Sequence, residues 1–208
     1  MIGLRVTVPI ACWRKGHARE YLETETLPPP ATCYGFLLSL VGEEDRQRHR
    51  GVRVTSGLVN NPEVSVVLRT LWRVKSLKEP SGVGSNARPD YQQLMVNADL
   101  VVWCDSAAEP EPVSGLESRV ALAIKEPSRV ERFGGLSLGE STHLVNDVAL
   151  LGAQVPHSRT FLLATEGALT LPVWVDHVGS AQTRFAVGNL EEIATPPTLE
   201  RVPQIPLS

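Results

Sequence analysis

Gly135-Leu136-Ser137-Leu138-Gly139 is the run in this chain that most suggests chemistry, because G-x-S-x-G is the turn on which serine hydrolases mount their nucleophile. Asp147, Asp176, His157 and His177 follow it and could complete a Ser, Asp, His chain order. That chemistry needs the serine on a sharp turn between a buried strand and a helix. Residues 126–132 before it are charged and broken by Pro127, and residues 143–148 after it read as extended, so the context argues against a nucleophile elbow. The same glycines suit another task. Gly134, Gly135 and Gly139 let backbone N–H groups approach a phosphate with no Cβ in the way, and Ser137 and Ser141 add hydroxyl donors. A tight loop joining a helix to a strand would favour glycine equally.

A second group is Trp13, Arg14, Lys15, His17 and Arg19, one aromatic with four cationic or ionisable side chains. Such a mixture can stack a base and hold phosphates, although a tryptophan packed on the core beside a solvated loop is the plain alternative. Arg88 ends a Gly-, Ser- and Asn-rich stretch at 80–89 that could lie along nucleic acid as an arm, or be an ordinary surface loop. The five histidines lack ligand spacing, so no metal or cofactor is expected. Charge supports the polyanion reading in one half only. Residues 1–92 carry thirteen Lys/Arg against nine Asp/Glu, and residues 93–208 carry seven against fourteen, which gives +4 and −7 and the net −3.

The elements that must position these residues follow from periodicity. Residues 2–12 alternate and are β-branched, which predicts a strand with Pro9 near its end. Pro28-Pro29-Pro30 opens a helix over 31–41, with Tyr34, Leu37, Leu38 and Val41 on one apolar face and Gly42 as its stop. Runs at 52–59 and 64–74, parted by Asn60-Asn61-Pro62, predict a hairpin. Residues 91–96 and 100–104 read as extended, 116–124 as a helix, and 144–151, 161–164 and 171–175 as short apolar runs. The proline-rich end predicts an extended, poorly ordered tail. The expected class is α+β: a ferredoxin-like (RRM-like) sheet over 1–152 with an inserted β-hairpin thumb at about 75–98. A small β-rich extension over 153–190 and a Pro-rich tail over 191–208 complete the division. The longest strongly apolar run, 33–42, is too short for a bilayer, no signal peptide is visible, and the odd, scattered Cys12, Cys33 and Cys104 suggest no disulfide framework. The expectation is a reduced, cytoplasmic protein with no membrane association.

Three segments in order resemble the fifth family of CRISPR-associated proteins, the RAMP-type subunits that cap the crRNA 5′ end in Cascade. They are the opening strand with Trp13 and the run 27–42, similar to the family's first-helix pattern; 88–99, which resembles the segment leaving its thumb; and 132–143, ending at His143, which resembles its glycine-rich loop. The full-length pattern looks closest to I-B-like, myxobacterial-type forms. The resemblance implies a non-catalytic subunit that binds the crRNA 5′ handle. It further implies contacts with the Cas-seven-type backbone subunit and the large subunit, and an indirect approach to target DNA near the PAM. Trp13, Arg14, Lys15, Arg19, Arg88, Gly134, Gly135, Ser137, Gly139, Ser141 and His143 are the expected RNA contacts. One branch of the family cuts pre-crRNA with a Tyr and a Lys-His pair. This chain has no Lys-His dipeptide and places Tyr34 on the buried helix face, so an endoribonuclease is the less favoured alternative, and a serine hydrolase using 135–139 less favoured still.

Overall fold

The computed structural model describes residues 1–16, 21–72, 74–110 and 114–207. In chain order the elements are β1 (Ile2–Ala11), β2 (Tyr21–Leu22), α1 (Pro30–Leu40), β3 (Arg53–Leu58), β4 (Glu63–Trp72), β5 (Ala87–Asp105), α2 (Leu116–Lys125), β6 (Asp147–Leu150), β7 (Ser158–Leu163), β8 (Leu169–Trp174) and β9 (Arg184–Ile193). Seven strands form one antiparallel sheet in the order β6-β1-β5-β3-β7-β9-β8, and β2 and β4 both attach to β5. The class is α+β, as the patterning predicts.

Strand alternation builds the core. Leu4, Val6 and Val8 of β1 are buried opposite Val102, Leu100 and Ala98 of β5, and β3 adds Val54 and Leu58 opposite Cys104 and Leu100. Cys33, Phe36, Leu37 and Leu40 of α1 and Leu116, Val120 and Ala123 of α2 join them in one cluster. α1 is apolar on nearly every side because β3, α2 and β8 all pack on it, and a helix enclosed that way has no polar face to keep. Pro30 starts it at the position where a missing N–H costs nothing. Gly42 ends it at φ +67, where a Cβ would sit 2.1 Å from the Glu131 carbonyl oxygen.

Several boundaries differ from the sequence expectation. The runs before and after Asn60-Asn61-Pro62 do not pair with each other. Both pair with β5, β3 with its second half and β4 with its first. At the junction the Asn60 side chain donates to the Asn97 carbonyl and accepts from the Asp99 N–H, while Asn97 takes φ +57. The pinch lets one strand edge continue past a break in the ladder, the work of a bulge rather than of a hairpin turn. The two extended runs at 91–96 and 100–104 are likewise one strand of 19 residues. The projecting arm is therefore β4 with the first half of β5, and the span 75–98 begins inside its end loop.

The β-rich extension continues the main sheet, through Gly57↔Thr160 and Leu58↔Arg159 between β3 and β7. β9 escaped the sequence reading because its charged residues and central Gly188 mask the alternation. That glycine is required, since a Cβ there would lie 2.2 Å from the Leu162 carbonyl oxygen. The tail is not loose. Val202 and Ile205 are fully buried, and the backbone bonds Val54 N–H to Pro203 O, Ile205 N–H to Val52 O and Gly51 N–H to Ile205 O lay it along the first residues of β3. β7 leaves that part of the edge uncovered, so the tail supplies the missing ladder partners. Ile205→Ala should accordingly cost about 2–5 kcal/mol in urea unfolding; a change under about 0.5 kcal/mol, the surface range, would mean the tail is not docked.

Candidate functional site

The site grows from the end of β1. Beyond Ala11 the chain turns against residues 21–25: Trp13 N–H donates to Thr24 Oγ1 at 2.9 Å, Lys15 N–H to the Glu23 carbonyl at 2.9 Å, and Glu25 N–H to the Trp13 carbonyl at 2.7 Å. The glycine-rich segment folds back beside this turn as a small hairpin, with Leu138 N–H on the His143 carbonyl, Val145 N–H on the Leu136 carbonyl, and Ser137 opposite Leu144.

Two side chains clip the hairpin to β1. His143 Nδ1 accepts the Cys12 N–H at 3.1 Å and the Glu140 N–H at 3.3 Å, which assigns the ring proton to Nε2 in the neutral form. Trp13 Nε1–H donates to the Leu138 carbonyl at 3.2 Å. Gly139 sits between them at φ +122, where a Cβ would meet the Cys12 carbonyl at 3.0 Å. A third contact reaches the arm: Glu140 accepts from Arg69 Nη1 at 3.0 Å and from Gln92 Nε2 at 3.1 Å, and Arg69 also donates to Gln92. Loop, first strand and arm base are thus joined through His143, Trp13 and Glu140.

The expected contact residues divide accordingly. Gly134, Gly135, Gly139 and Ser141 are exposed along the outside of the loop, and Ser137 is half-buried. Among the described residues no hydrogen bond uses the N–H of Gly134, Gly135 or Ser141. Arg14 is exposed and Lys15 half-buried on the neighbouring turn. Two expectations are corrected. Trp13 is 2% exposed and offers no ring face for stacking, and His143 is buried as the loop's clamp rather than presented to a ligand. Arg88 is half-buried with Nε 2.8 Å from Asp90, and it lies four residues along β5 from Gln92, about 13 Å away at strand rise. His17 and Arg19 lie outside the described residues. Sequence reasoning missed Glu140 and Gln92; the one available signal was a polar pair, Gln92-Gln93, inside an otherwise extended run.

The geometry removes the elbow that a serine hydrolase needs, since Ser137 stands in a hairpin and the next element after it is the strand β6, not a helix. Asp176 turns its carboxylate onto the N–H groups of Val178, Gly179 and Gln182, which hold it below the usual carboxylate range, and Asp147 pairs opposite Thr7 in β6. Tyr34, the one tyrosine weighed for a nuclease, is buried. Its hydroxyl donates to the Arg46 carbonyl at 2.8 Å, and burial pushes its ionisation far upward.

Fold and relatives agree on class. The structure aligns over 93% of this chain with 89% of a chain described as "CRISPR RNA-guided surveillance complex", at a TM-score of 0.62 and 12% identity. It also aligns over 98% of this chain with 97% of one described as "Crystal structure of Cas protein", at 0.52 and 15%. These define a fold shared with CRISPR-associated subunits. No protein-family model matches the chain. "CRISPR-associated protein Cas5" of Myxococcus xanthus (strain DK1622) is 60% identical over 210 residues, covering 100% of this chain and 98% of that protein. The chain belongs to the Cas5 family.

Burial lowers the pKa of His143 below the free imidazole value, and Arg69 nearby adds to that, against the opposing pull of Glu140. Since the unfolded chain then takes up a proton more readily than the folded one, the clamp's contribution is full above about pH 6.5 and is lost as pH falls from there through the lower folded pKa. Protonation of Nδ1 would also remove the acceptor that holds Cys12 and Glu140. We expect amide exchange in 134–143 to accelerate as pH is lowered through this window, after correction for intrinsic rates. In His143→Ala, which should cost about 1–3 kcal/mol, that acceleration should be absent; its persistence in the variant would place the titrating group elsewhere.

Proposed function

We propose that this chain is a non-catalytic subunit of a type I CRISPR interference complex and that its glycine-rich loop grips the 5′ handle of crRNA. The observation that carries the reading is the exposed loop itself: Gly134, Gly135 and Ser141 are exposed and use their backbone N–H groups in no hydrogen bond among the described residues, on a hairpin fixed at three points. Fixed N–H groups, two of them on glycines with no Cβ in the way, suit phosphate oxygens and carry no base information. Gly139, Ser137, Arg14 and Lys15 extend the surface, and Arg19 and Arg88 are further candidates for phosphate contacts. Trp13 and His143 serve the RNA indirectly, as the residues that set the loop's position. The β-α-β-β-α-β connectivity and β6-β1-β5-β3 order fit the expected ferredoxin-like arrangement, in an I-B-like member of the family.

The arm supports assembly with the backbone and large subunits. Val64, Val66, Leu68, Trp72 and Tyr91 fall on one face of the β4–β5 ladder by register and are all exposed, far more apolar surface than a solitary hairpin would tolerate. Base pairing would then read the target, with this chain approaching DNA near the PAM only through its neighbours. Three free, buried cysteines suit the reducing, cytoplasmic setting of such a complex, and among the described residues no helix is long and apolar enough to cross a membrane.

In filter binding to handle RNA, Gly135→Leu should weaken affinity without unfolding the chain, because the space beside Gly135 is limited only by the Leu144 side-chain tip at 3.1 Å. Neutralising Arg14, Lys15 and Arg88 together should flatten the dependence of log affinity on log salt by about two units, at about 0.7 per single-strand phosphate contact. Unchanged binding in both variants would contradict the assignment. Repeat RNA cut in metal-free buffer, and no longer cut by Tyr34→Phe, would instead favour the nuclease.

A further inference from the structure

A cleft of about 360 Å³ opens between the outer surface of α1, residues 137–139 of the glycine-rich loop and the end of β8. Its floor is Gly35 and Ser39, one wall is Ser137, and the other is Trp174 and His177, with Arg46 beside them. The far wall is rigid. The Arg46 guanidinium stacks 3.8 Å from the centre of the Trp174 ring and donates to the Val175 carbonyl at 2.8 Å, Arg50 lies 4.6 Å from the same ring, and Tyr34 packs at 6.5 Å. Among the described residues no carboxylate lines this cleft.

Gly35 has no reason to be glycine within this chain. It lies mid-helix, where glycine is among the worst residues, and its backbone does not require positive φ. Nothing lies within 4 Å of where its Cβ would stand, and it is exposed on an otherwise enclosed helix. A bare backbone facing an open cleft marks the close approach of something outside the chain. On the opposite side of Gly35 and Ser39 the adjoining hollow carries Glu44 and Glu131 against Arg132, while Glu43 there is neutralised by Arg48 and Arg119, so that side favours a polyanion less than the Arg46 side.

We infer that this cleft seats one nucleotide of the bound single-stranded RNA, its base over the bare backbone at Gly35 and against the Trp174–His177 wall, with the Arg46 charge beside it. The inference rests on the RNA-binding reading, which includes Ser137 and Gly139 but assigns no role to Gly35, Arg46, Trp174 or His177. The volume is at the small end for ligand clefts and suits one nucleotide rather than a helix. Ser39, Ser137 and His177 supply hydrogen-bonding groups to base edges or ribose, and single-stranded RNA with splayed bases is the form that uses such a seat.

The test uses the full chain with a short single-stranded RNA matching the repeat-derived 5′ end of the guide, carrying 4-thiouridine at one position at a time. One position should crosslink to the peptide bearing Trp174 and His177. Gly35→Gln, which adds a better helix former and fills the cleft, should melt no lower than the parent yet bind about tenfold more weakly, the loss of one seated base. His177→Ala should weaken binding in the same direction. RNA bound by the parent, with no crosslink in the cleft and full affinity in Gly35→Gln, overturns the cleft assignment and leaves the loop reading standing. No binding by the parent overturns both. Free adenosine or uridine monophosphate held in the cleft more tightly than the RNA overturns the assignment to a polymer.

Discussion

Everything in this molecule hangs from the two-fold employment of β5. Its second half is the buried centre of the sheet, with Leu100, Val101, Val102 and Cys104 all fully enclosed between β1 and β3. Its first half leaves the core and pairs with β4 as the arm. A strand cannot slip by one residue without turning every side chain to the wrong face, so the apolar register against Leu4, Val6 and Val8 also fixes the register of the arm. The arm is consequently positioned by the core. The pinch at Asn60, Asn97 and Asp99 bends this continuous edge without releasing it.

The glycine-rich loop depends on that geometry at one remove. Glu140 meets Arg69 and Gln92 only because β4 and β5 carry those two residues to the arm's base, and His143 meets Cys12 only because β1 ends there. Buried polar groups such as His143 and Gln92 gain most when each has a partner, and the loop's inner side is satisfied in this way while its outer side exposes the backbone of Gly134 and Gly135. A rigid scaffold displaying an irregular, glycine-rich surface is the usual division between elements that hold and segments that bind. The net acidic charge does not by itself oppose the binding of a polyanion, because the loop folds beside the end of β1, where Arg14 and Lys15 supply local positive charge.

Much of this was legible in the sequence where local physics decides the outcome. The proline start and apolar face of α1, the alternation of β1 and the helix at α2 all emerged within a residue or so of their observed limits. What was not legible depended on distant partners. Asn60-Asn61-Pro62 carries turn chemistry, yet the strands around it choose β5, and no local signal distinguishes a hairpin from a bulge in one long edge. The tail has loop composition but is held by backbone bonds to residues 51–54, about 150 positions earlier. Of the candidate site, the glycines and Ser141 lie exposed on a loop, as their composition suggests, and their contact with RNA is the proposal. Trp13 and His143 were found for the wrong reason: an aromatic and an imidazole near a ligand loop look like contacts, and only burial reveals them as its supports.

The central claim is that the outer side of this loop, held by His143 and Glu140, is where guide RNA lies. Hydrogen–deuterium exchange of the full chain with and without single-stranded handle RNA addresses it most directly, because it reports on backbone N–H groups themselves. The account predicts slowed exchange in 134–142 on adding RNA, with little change along the buried half of β5, which is already protected. Protection that leaves 134–142 untouched while appearing elsewhere on the surface would contradict it.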